Sequence, residues 1–86
     1  MKNVKLFYLK HCPFCKKAIR YIEELKAQYA ELASVEIDMI EESEQPDVAD
    51  KFDYYYVPTF YVDGKKVHEG GIYPEEVEAI LRKVIE

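Results

Sequence analysis

The chain alternates between short apolar runs and longer stretches in which apolar residues recur every three or four positions. A short apolar run bounded by polar or turn residues predicts a strand, and a spacing of three to four predicts one face of a helix. Four strands are predicted in this way, at residues 4–9, 34–38, 59–62 and 65–69. Three helices are predicted as well: from residue 13 to about residue 32, in a short stretch opened by Pro46, and from Pro74 onward.

Each predicted helix has an apolar face and begins at or next to a proline. Proline suits the first helical position, because its missing N–H would have no partner there. The apolar faces consist of Ala18, Ile19, Ile22, Leu25 and Tyr29 in the first helix, Val48 and Phe52 in the short one, and Val77, Ile80, Leu81 and Val84 in the last.

The order of these elements, β-α-β-α-β-β-α, indicates an α/β fold. The early strand–helix–strand unit implies parallel pairing with a right-handed crossover. Asp63-Gly64 is a strong hairpin signal and implies an antiparallel pair. We therefore expect one domain over residues 1–86, built on a mixed four-stranded sheet with helices on both faces. Residues 41–44 are expected to form a solvated acidic loop.

Composition excludes some functions without naming one. The chain has 86 residues, of which 49% are apolar, and a formal net charge of −5. The acidic balance disfavours a nucleic-acid partner, since phosphate binding needs clustered Lys and Arg. No run approaches the roughly 20 apolar residues of a membrane helix, and the polar start of the chain does not resemble a signal peptide. We therefore expect a cytoplasmic monomer with no membrane partner.

The only two cysteines lie in the motif Cys12-Pro13-Phe14-Cys15, where the first strand gives way to the first helix. A helix N-terminus stabilises a thiolate through its partial positive charge and its unpaired N–H groups. We expect Cys12 to be exposed there and to attack a disulfide, and Cys15 to be sheltered and to resolve the mixed disulfide. The thiolate is expected to be favoured further by the surrounding cations, Lys10, His11, Lys16 and Lys17.

Three other interpretations compete for the cysteine pair. Zinc prefers four ligands, so His11 and His68 would have to complete the site, and adjacent residues such as His11 and Cys12 rarely bind one ion comfortably. An iron–sulfur cluster needs more thiolates than one chain offers and would require a dimer or an external thiol. Two inert core cysteines are common in proteins, but less so for a pair that flanks a proline at a strand–helix junction.

The chain resembles the glutaredoxin branch of the thioredoxin superfamily. The resemblance covers essentially the whole chain and rests on Lys10, the Cys12-Pro13-Phe14-Cys15 motif, Val57-Pro58 and Gly70-Gly71, in that order. It implies the thioredoxin fold and a cis Val57–Pro58 peptide bond beside the thiols. It further implies that the Val57 backbone pairs with the extended chain of a substrate by β-strand addition.

Two observations favour glutaredoxins over thioredoxins within the superfamily. Thioredoxins carry a Trp just before the first cysteine, and this chain has no Trp. Thioredoxins also place a buried carboxylate six residues before that cysteine, where this chain has Leu6.

The resemblance implies an enzyme, a thiol–disulfide oxidoreductase that reduces protein disulfides or glutathione mixed disulfides in cell redox homeostasis. Cys12 and Cys15 would be the catalytic residues, and the substrate-binding residues would be Lys10, Pro13, Phe14, Val57, Pro58, Gly70 and Gly71. No tightly bound cofactor or metal is expected. Glutathione is the expected electron donor, and a flavin disulfide reductase is the other candidate. The alternative functions are an iron–sulfur carrier that uses Cys12 and glutathione in a dimer, and a non-catalytic adaptor.

Two departures from the family pattern concern glutathione. Lys10 lies two positions before Cys12 rather than three, and Gly70-Gly71 is followed by Ile72-Tyr73-Pro74 rather than by a short acidic stretch. That stretch holds the γ-glutamyl end of glutathione in the family. We therefore expect glutathione-linked activity that is weaker than in a typical glutaredoxin.

Several aromatic residues are candidates for the rim of the site. An aromatic rim would suit a peptide-like ligand or a protein partner. We expect at least half of these residues to be core or half-buried instead: Phe14, Tyr54, Tyr55, Tyr56 and Tyr73.

Overall fold

The computed structural model describes all 86 residues and contains a four-stranded sheet with three α-helices. In chain order the elements are β1 (Val4–Tyr8), α1 (Pro13–Gln28), a 3₁₀ turn (Ala30–Leu32), β2 (Asp38–Glu41), α2 (Pro46–Ala49), β3 (Thr59–Val62), β4 (Lys65–Glu69) and α3 (Pro74–Ile85). The strand order across the sheet is β2-β1-β3-β4. β1 pairs in parallel with β2 and antiparallel with β3, and β3 pairs antiparallel with β4. The predicted mixed sheet is confirmed.

The two faces of the sheet bury different clusters. Alternate residues of β1 point to opposite sides, so Leu6 faces one cluster and Phe7 the other. The larger cluster joins the sheet to α1 and α3, with Leu6, Phe60, Ile22 and Leu81 among its members. The smaller cluster lies under α2 and is aromatic, with the rings of Phe7 and Phe52 4.8 Å apart. Helices therefore cover both faces, as predicted.

Two predicted boundaries are wrong. The second strand is Asp38–Glu41, not residues 34–38. In the segment before this strand, apolar and polar residues alternate because Val35 is buried in the larger cluster and Ile37 packs against it. That segment nevertheless pairs with no strand. Helix α1 ends at Gln28 rather than near Leu32, because Tyr29 takes an extended conformation. Leu32 still reaches the core through the 3₁₀ turn, which is why the helical spacing continues past the helix.

The β3–β4 hairpin has the predicted turn and an unpredicted bulge. Asp63 and Gly64 have φ values of 48° and 80°, the positive values that a type I′ turn requires at both positions. Further along, Tyr61 pairs with Lys66 and Phe60 with His68, so Val67 is an extra residue opposite one step of β3.

One end of the sheet collects four chain segments. β1 and β2 run in parallel and finish at the same end, so β3, which is antiparallel to β1, begins there and β4 finishes there. The residues that follow β1, precede β3 and follow β4 are those that the sequence singles out for chemistry. No helix of the structure has both the length and the apolar character needed to cross a membrane.

Candidate active site

The two thiols lie at the start of α1, one more accessible than the other. Cys12 is the N-cap residue and is half-buried, and Pro13 occupies the first helical turn. Cys15 is completely buried one turn further on. Both cysteines are free, so the structure represents the dithiol form. This arrangement gives one thiol that can meet a substrate and one that is shielded from it.

The N–H groups and the second thiol at the helix start make Cys12 the more acidic thiol. Partial burial alone would raise its pKa. The backbone N–H of Cys15, the Cys15 thiol and the backbone N–H of Phe14 outweigh burial and lower the pKa of Cys12 below the ordinary value of a thiol. The thiolate is therefore stabilised by the first turn of α1, as predicted from its place at a helix N-terminus.

Burial acts in the opposite direction on Cys15. It is the main reason that the pKa of the Cys15 thiol is raised to about 12. The neighbouring Cys12 and the carboxylate of Glu42 raise this pKa further, because a second negative charge beside them is unfavourable. At neutral pH Cys15 is therefore a protonated thiol that can donate a hydrogen bond to Cys12.

The lysines near the motif do not produce the low pKa of Cys12, contrary to expectation. Lys10 Nζ lies 3.0 Å from a carboxylate oxygen of Glu44, so its positive charge is paired with Glu44. Lys17 Nζ lies over the ring of Phe14, 5.9 Å from its centre. The pKa of Cys12 is lowered by the N–H groups and the Cys15 thiol at the start of α1 rather than by these side chains.

Glu41 holds the loop that carries Cys12. Its burial corrects the first residue of the predicted solvated loop at residues 41–44, whereas Ser43 and Glu44 are exposed as predicted. Only 3% of Glu41 is exposed. One carboxylate oxygen accepts the backbone N–H of Lys10 at 3.0 Å, and the other accepts the N–H and the hydroxyl of Ser43, both at 2.6 Å. The Ser43 hydroxyl and the Lys10 N–H are the main causes that lower the pKa of Glu41 to about 2. Glu41 and Ser43 also line a cavity of about 340 Å³ beside Cys12.

The Val57–Pro58 segment lies at the same end of the sheet. The Val57–Pro58 peptide bond is cis, as expected. Thr59, the next residue, pairs with Phe7 near the end of β1, which places Pro58 beside the loop that leads to Cys12. The carbonyl of Pro58 accepts the N–H of Gly70 at 2.8 Å, whereas the N–H and the carbonyl of Val57 have no hydrogen-bond partner. Val57 therefore offers a free backbone edge.

Glu69 fixes the loop that precedes Val57, and sequence reasoning missed it. Its carboxylate accepts the backbone N–H groups of Tyr55 and Tyr56 and pairs with Lys66 Nζ at 2.7 Å. The ion pair with Lys66 and these two N–H groups lower the pKa of Glu69 to about 2. The only signal in the sequence was a charged residue at the end of a predicted strand. Such a residue is equally common where a strand end is exposed to solvent, so it did not indicate a structural role.

Gly70 and Gly71 complete the site on the side of α3. Gly70 has a φ of 91°, and the ring of Phe14 covers Gly71 so closely that a Cβ there would lie 3.3 Å from the ring. His68 Nε2 lies 2.8 Å from the carbonyl of Gly71 and holds this turn to β4.

The N-terminus of α3 has little capacity left for an anion. Pro74 has no N–H, the N–H of Tyr73 is bound by the Glu76 carboxylate at 3.0 Å, and the N–H of Glu76 is bound by the Tyr73 carbonyl. Of these first residues, only Glu75 keeps a free N–H. The structure thus brings all the predicted site residues to one end of the sheet. The charge of Lys10 is paired with Glu44, however, and most N–H groups at the start of α3 already have partners within the chain.

The aromatic residues around the site are more exposed than expected. Tyr54 is half-buried under the α2 face, where its hydroxyl bonds to Glu42. The other four are exposed, which makes the expectation that at least half would be buried wrong: Phe14, Tyr55, Tyr56 and Tyr73. Nowhere in the structure do three His, Cys, Asp or Glu side chains converge in an arrangement suited to a metal ion.

Comparison with known proteins gives a family and a fold. A family model described as glutaredoxin matches residues 4–67. A thioredoxin of Malassezia sympodialis superposes with a TM-score of 0.76 at 20% identity, over 99% of this chain and 76% of that one. Mitochondrial thioredoxin 3 of Saccharomyces cerevisiae gives 0.71 at 26% identity, over 95% and 77%. A thioredoxin pre-protein of Schistosoma mansoni gives 0.71 at 23% identity, over 96% and 78%. No curated protein sequence matches the chain. The predicted fold class, a thioredoxin fold, is confirmed.

Proposed function

The chain belongs to the glutaredoxin family, and on that premise we propose that it reduces disulfides of other proteins through Cys12 and Cys15, with glutathione as its electron donor. The observation that carries the proposal is the pairing of a half-buried thiol of lowered pKa with a fully buried thiol one turn away. Exchange needs a thiolate that is accessible, and release of the product needs a second thiol within reach. The pair meets both requirements.

The reaction proceeds in two exchanges. The Cys12 thiolate attacks one sulfur of the substrate disulfide, a Cys12–substrate bond forms, and the other sulfur leaves as a thiolate that takes a proton from water. Cys15 then gives up its proton and attacks the sulfur of Cys12, which releases the second substrate thiol. Two electrons have passed to the substrate, and the chain holds a Cys12–Cys15 disulfide.

The high pKa of Cys15 fits its late role. In the dithiol form the neighbouring Cys12 is one of the causes that raise it. Once Cys12 is bound to the substrate it no longer carries a negative charge, so that cause is removed before Cys15 has to react. Two glutathione thiols then reduce the Cys12–Cys15 disulfide and leave as oxidised glutathione.

The backbone of Val57 is the proposed docking edge for the substrate. Its N–H and carbonyl are free, and an extended chain can pair with such an edge whatever its side chains. A protein disulfide in an extended segment uses this edge fully. Glutathione would additionally need partners for two carboxylates, and Lys10 is engaged with Glu44. We therefore propose that protein disulfides are the better substrates and that glutathione reacts more slowly. The proposed setting for this chemistry is a reducing compartment such as the cytoplasm.

A trapping experiment tests the assigned roles. Cys15→Ser removes the resolving thiol, so incubation with an oxidised protein substrate should give a stable mixed disulfide on Cys12, visible in the intact mass. Cys12→Ser should give none, because Cys15 is buried and protonated. Equal adducts on the two variants would contradict the assignment. Failure of the wild-type chain to reduce any protein disulfide would contradict the proposed function itself.

A further inference from the structure

Exposed aromatic side chains are concentrated around the thiols. The four exposed aromatic residues of the chain are Phe14 (57% exposed), Tyr55 (85%), Tyr56 (71%) and Tyr73 (69%). Phe14 covers Gly71, and Tyr56 lies 4.0 Å from the position of a Cβ on Gly70. Aromatic residues are enriched where proteins meet, and exposed apolar patches mark interaction sites. Their concentration at one end of the sheet therefore indicates a surface that meets other molecules.

A cleft opens among them, between α1 and the start of α3. It has a volume of about 240 Å³ and is lined by Phe14, Lys17, Tyr21, Gly71, Ile72 and Tyr73. Small-molecule sites usually enclose about 300–1,000 Å³. A smaller cleft with aromatic walls suits one large apolar side chain of a longer ligand.

Cations that have no ion-pair partner lie next to this cleft, where Lys17 lies over the ring of Phe14 and Arg20 over the ring of Tyr21. Lys16, Lys17 and Arg20 are exposed on the first half of α1, and none of them is ion-paired. Across the cleft, the carboxylate of Glu76 is turned to the N–H of Tyr73, and Glu75 is exposed. In a chain of net charge −5, this group of cations is a local exception.

We propose that the aromatic–basic surface, formed by Phe14, Lys17, Arg20 and Tyr73, docks an acidic segment of a protein substrate. The cleft takes a large apolar side chain beside the reacting cysteine of the substrate, and carboxylates further along that segment meet Lys17 and Arg20. This inference rests on the proposed disulfide reduction and specifies the partner. Glutathione has no large apolar side chain for the cleft.

A second copy of the chain is a poorer occupant. In a two-fold dimer the same patch meets itself, so the unpaired lysines and Arg20 would face one another. Like charges across an interface are unfavourable. An acidic partner instead gains from both charge and apolar contact.

Two model peptides test the proposal. Each contains one disulfide with a Phe beside it; one has glutamates further along and the other has lysines. Wild type should reduce the acidic peptide with a kcat/KM about three- to tenfold higher at low salt, and this ratio should shrink at high salt because exposed charges are screened.

Matched variants locate the effect. Lys17→Glu with Arg20→Glu should bring the acidic-to-basic ratio to about one or below. Lys65→Glu with Lys83→Glu makes the same change of charge at the opposite end of the sheet, where both lysines line another cavity, and should leave the ratio as in wild type.

Four outcomes would overturn the proposal. Equal wild-type rates for the two peptides, or an equal effect of both charge variants, would remove the acidic docking surface while leaving disulfide reduction intact. A dimer in analytical ultracentrifugation that Tyr73→Ala dissociates would assign the surface to self-association. Failure to reduce either peptide would remove the proposed function, and with it this inference.

Discussion

The carboxylate of Glu69 accepts the backbone N–H of Tyr56 at 2.9 Å, from a residue 13 positions earlier in the chain. It accepts the N–H of Tyr55 as well, so the end of β4 determines the path of the chain that enters Val57. Because Val57 is the proposed docking edge, we propose that Glu69 is a positioning residue that acts on substrates without touching the reacting sulfurs.

We expect Glu69→Gln to raise the KM for a protein disulfide about three- to tenfold, because a neutral acceptor binds N–H groups more weakly than a carboxylate. The kcat should change little, and hydrogen exchange at the amides of Tyr55 and Tyr56 should become faster. Lys66→Met is the matched control, since it removes the ion pair and keeps the Glu69 carboxylate that accepts both N–H groups. A loss of kcat with an unchanged KM would argue against a positioning role.

We expect the pKa of Cys12 to depend on the group at position 15. Cys15→Ala removes the thiol that donates to Cys12, so the pKa of Cys12 should rise toward the ordinary thiol value of about 8.5. Cys15→Ser retains a donor and should raise it less. Thiolate absorbance as a function of pH measures both. Identical titrations of the two variants would show that the Cys15 side chain does not contribute.

Acid should destabilise the fold partly through Glu41. Its pKa is lowered from 4.5 to about 2 in the folded chain, so its contribution to stability is present above pH 4.5 and is lost as the pH falls toward 2. Glu41→Gln should therefore lower the stability at pH 7 and reduce the difference between pH 7 and pH 3, as measured by urea unfolding. Glu36→Gln, at an exposed carboxylate without hydrogen bonds, is the control. An unchanged pH dependence in Glu41→Gln would contradict this role.

The two adjacent glycines should respond differently to alanine. Gly70 has a φ of 91°, so Gly70→Ala should destabilise the chain by about 1–2 kcal/mol. Gly71→Ala meets only the exposed ring of Phe14, which can move aside. It should cost less stability but reduce activity, since the ring belongs to the proposed docking surface. Thermal unfolding and peptide kinetics on both variants separate the two effects.

The ion pair between Lys10 and Glu44 should restrain the reaction with glutathione. Glu44→Gln frees the ammonium group for a carboxylate of glutathione, so the KM for a glutathione mixed disulfide should fall by about two- to fivefold. Lys10→Ala should raise it, with a smaller effect on protein disulfides. Glu24→Gln, another exposed carboxylate, controls for net charge. A higher KM in Glu44→Gln would show that the pair assists binding instead.

Local patterns predicted those parts of the structure that depend on neighbouring residues. The turn at Asp63-Gly64, the start of α1 at Pro13 and the buried face of α3 follow from backbone preference and apolar spacing. Cys12 and Cys15 could be assigned different exposures because three residues span one helical turn.

Contacts between distant residues could not be predicted in this way. β2 was misplaced because Val35 is buried without strand pairing and because Glu41 is buried as a carboxylate. Nothing near Glu41 in sequence reveals that Lys10, 31 positions earlier, donates to it. Glu69 and the loop at Tyr55 were missed for the same reason, since their partnership exists only once β4 is paired.

The bulge at Val67 separates the length of the hairpin from the geometry of the site. On the turn side of the bulge Lys66 lies opposite Tyr61, and on the side of the thiols Glu69 lies opposite Thr59. Between these two pairs, β4 has one residue more than β3. Deletion of Val67 would leave a regular ladder with the same two pairings. An insertion after His68 would instead displace Glu69 from Tyr56. A change of length on the turn side of His68 would therefore leave Glu69 opposite Thr59, whereas a change of length between Val67 and Glu69 would move Glu69 away from the loop that enters Val57.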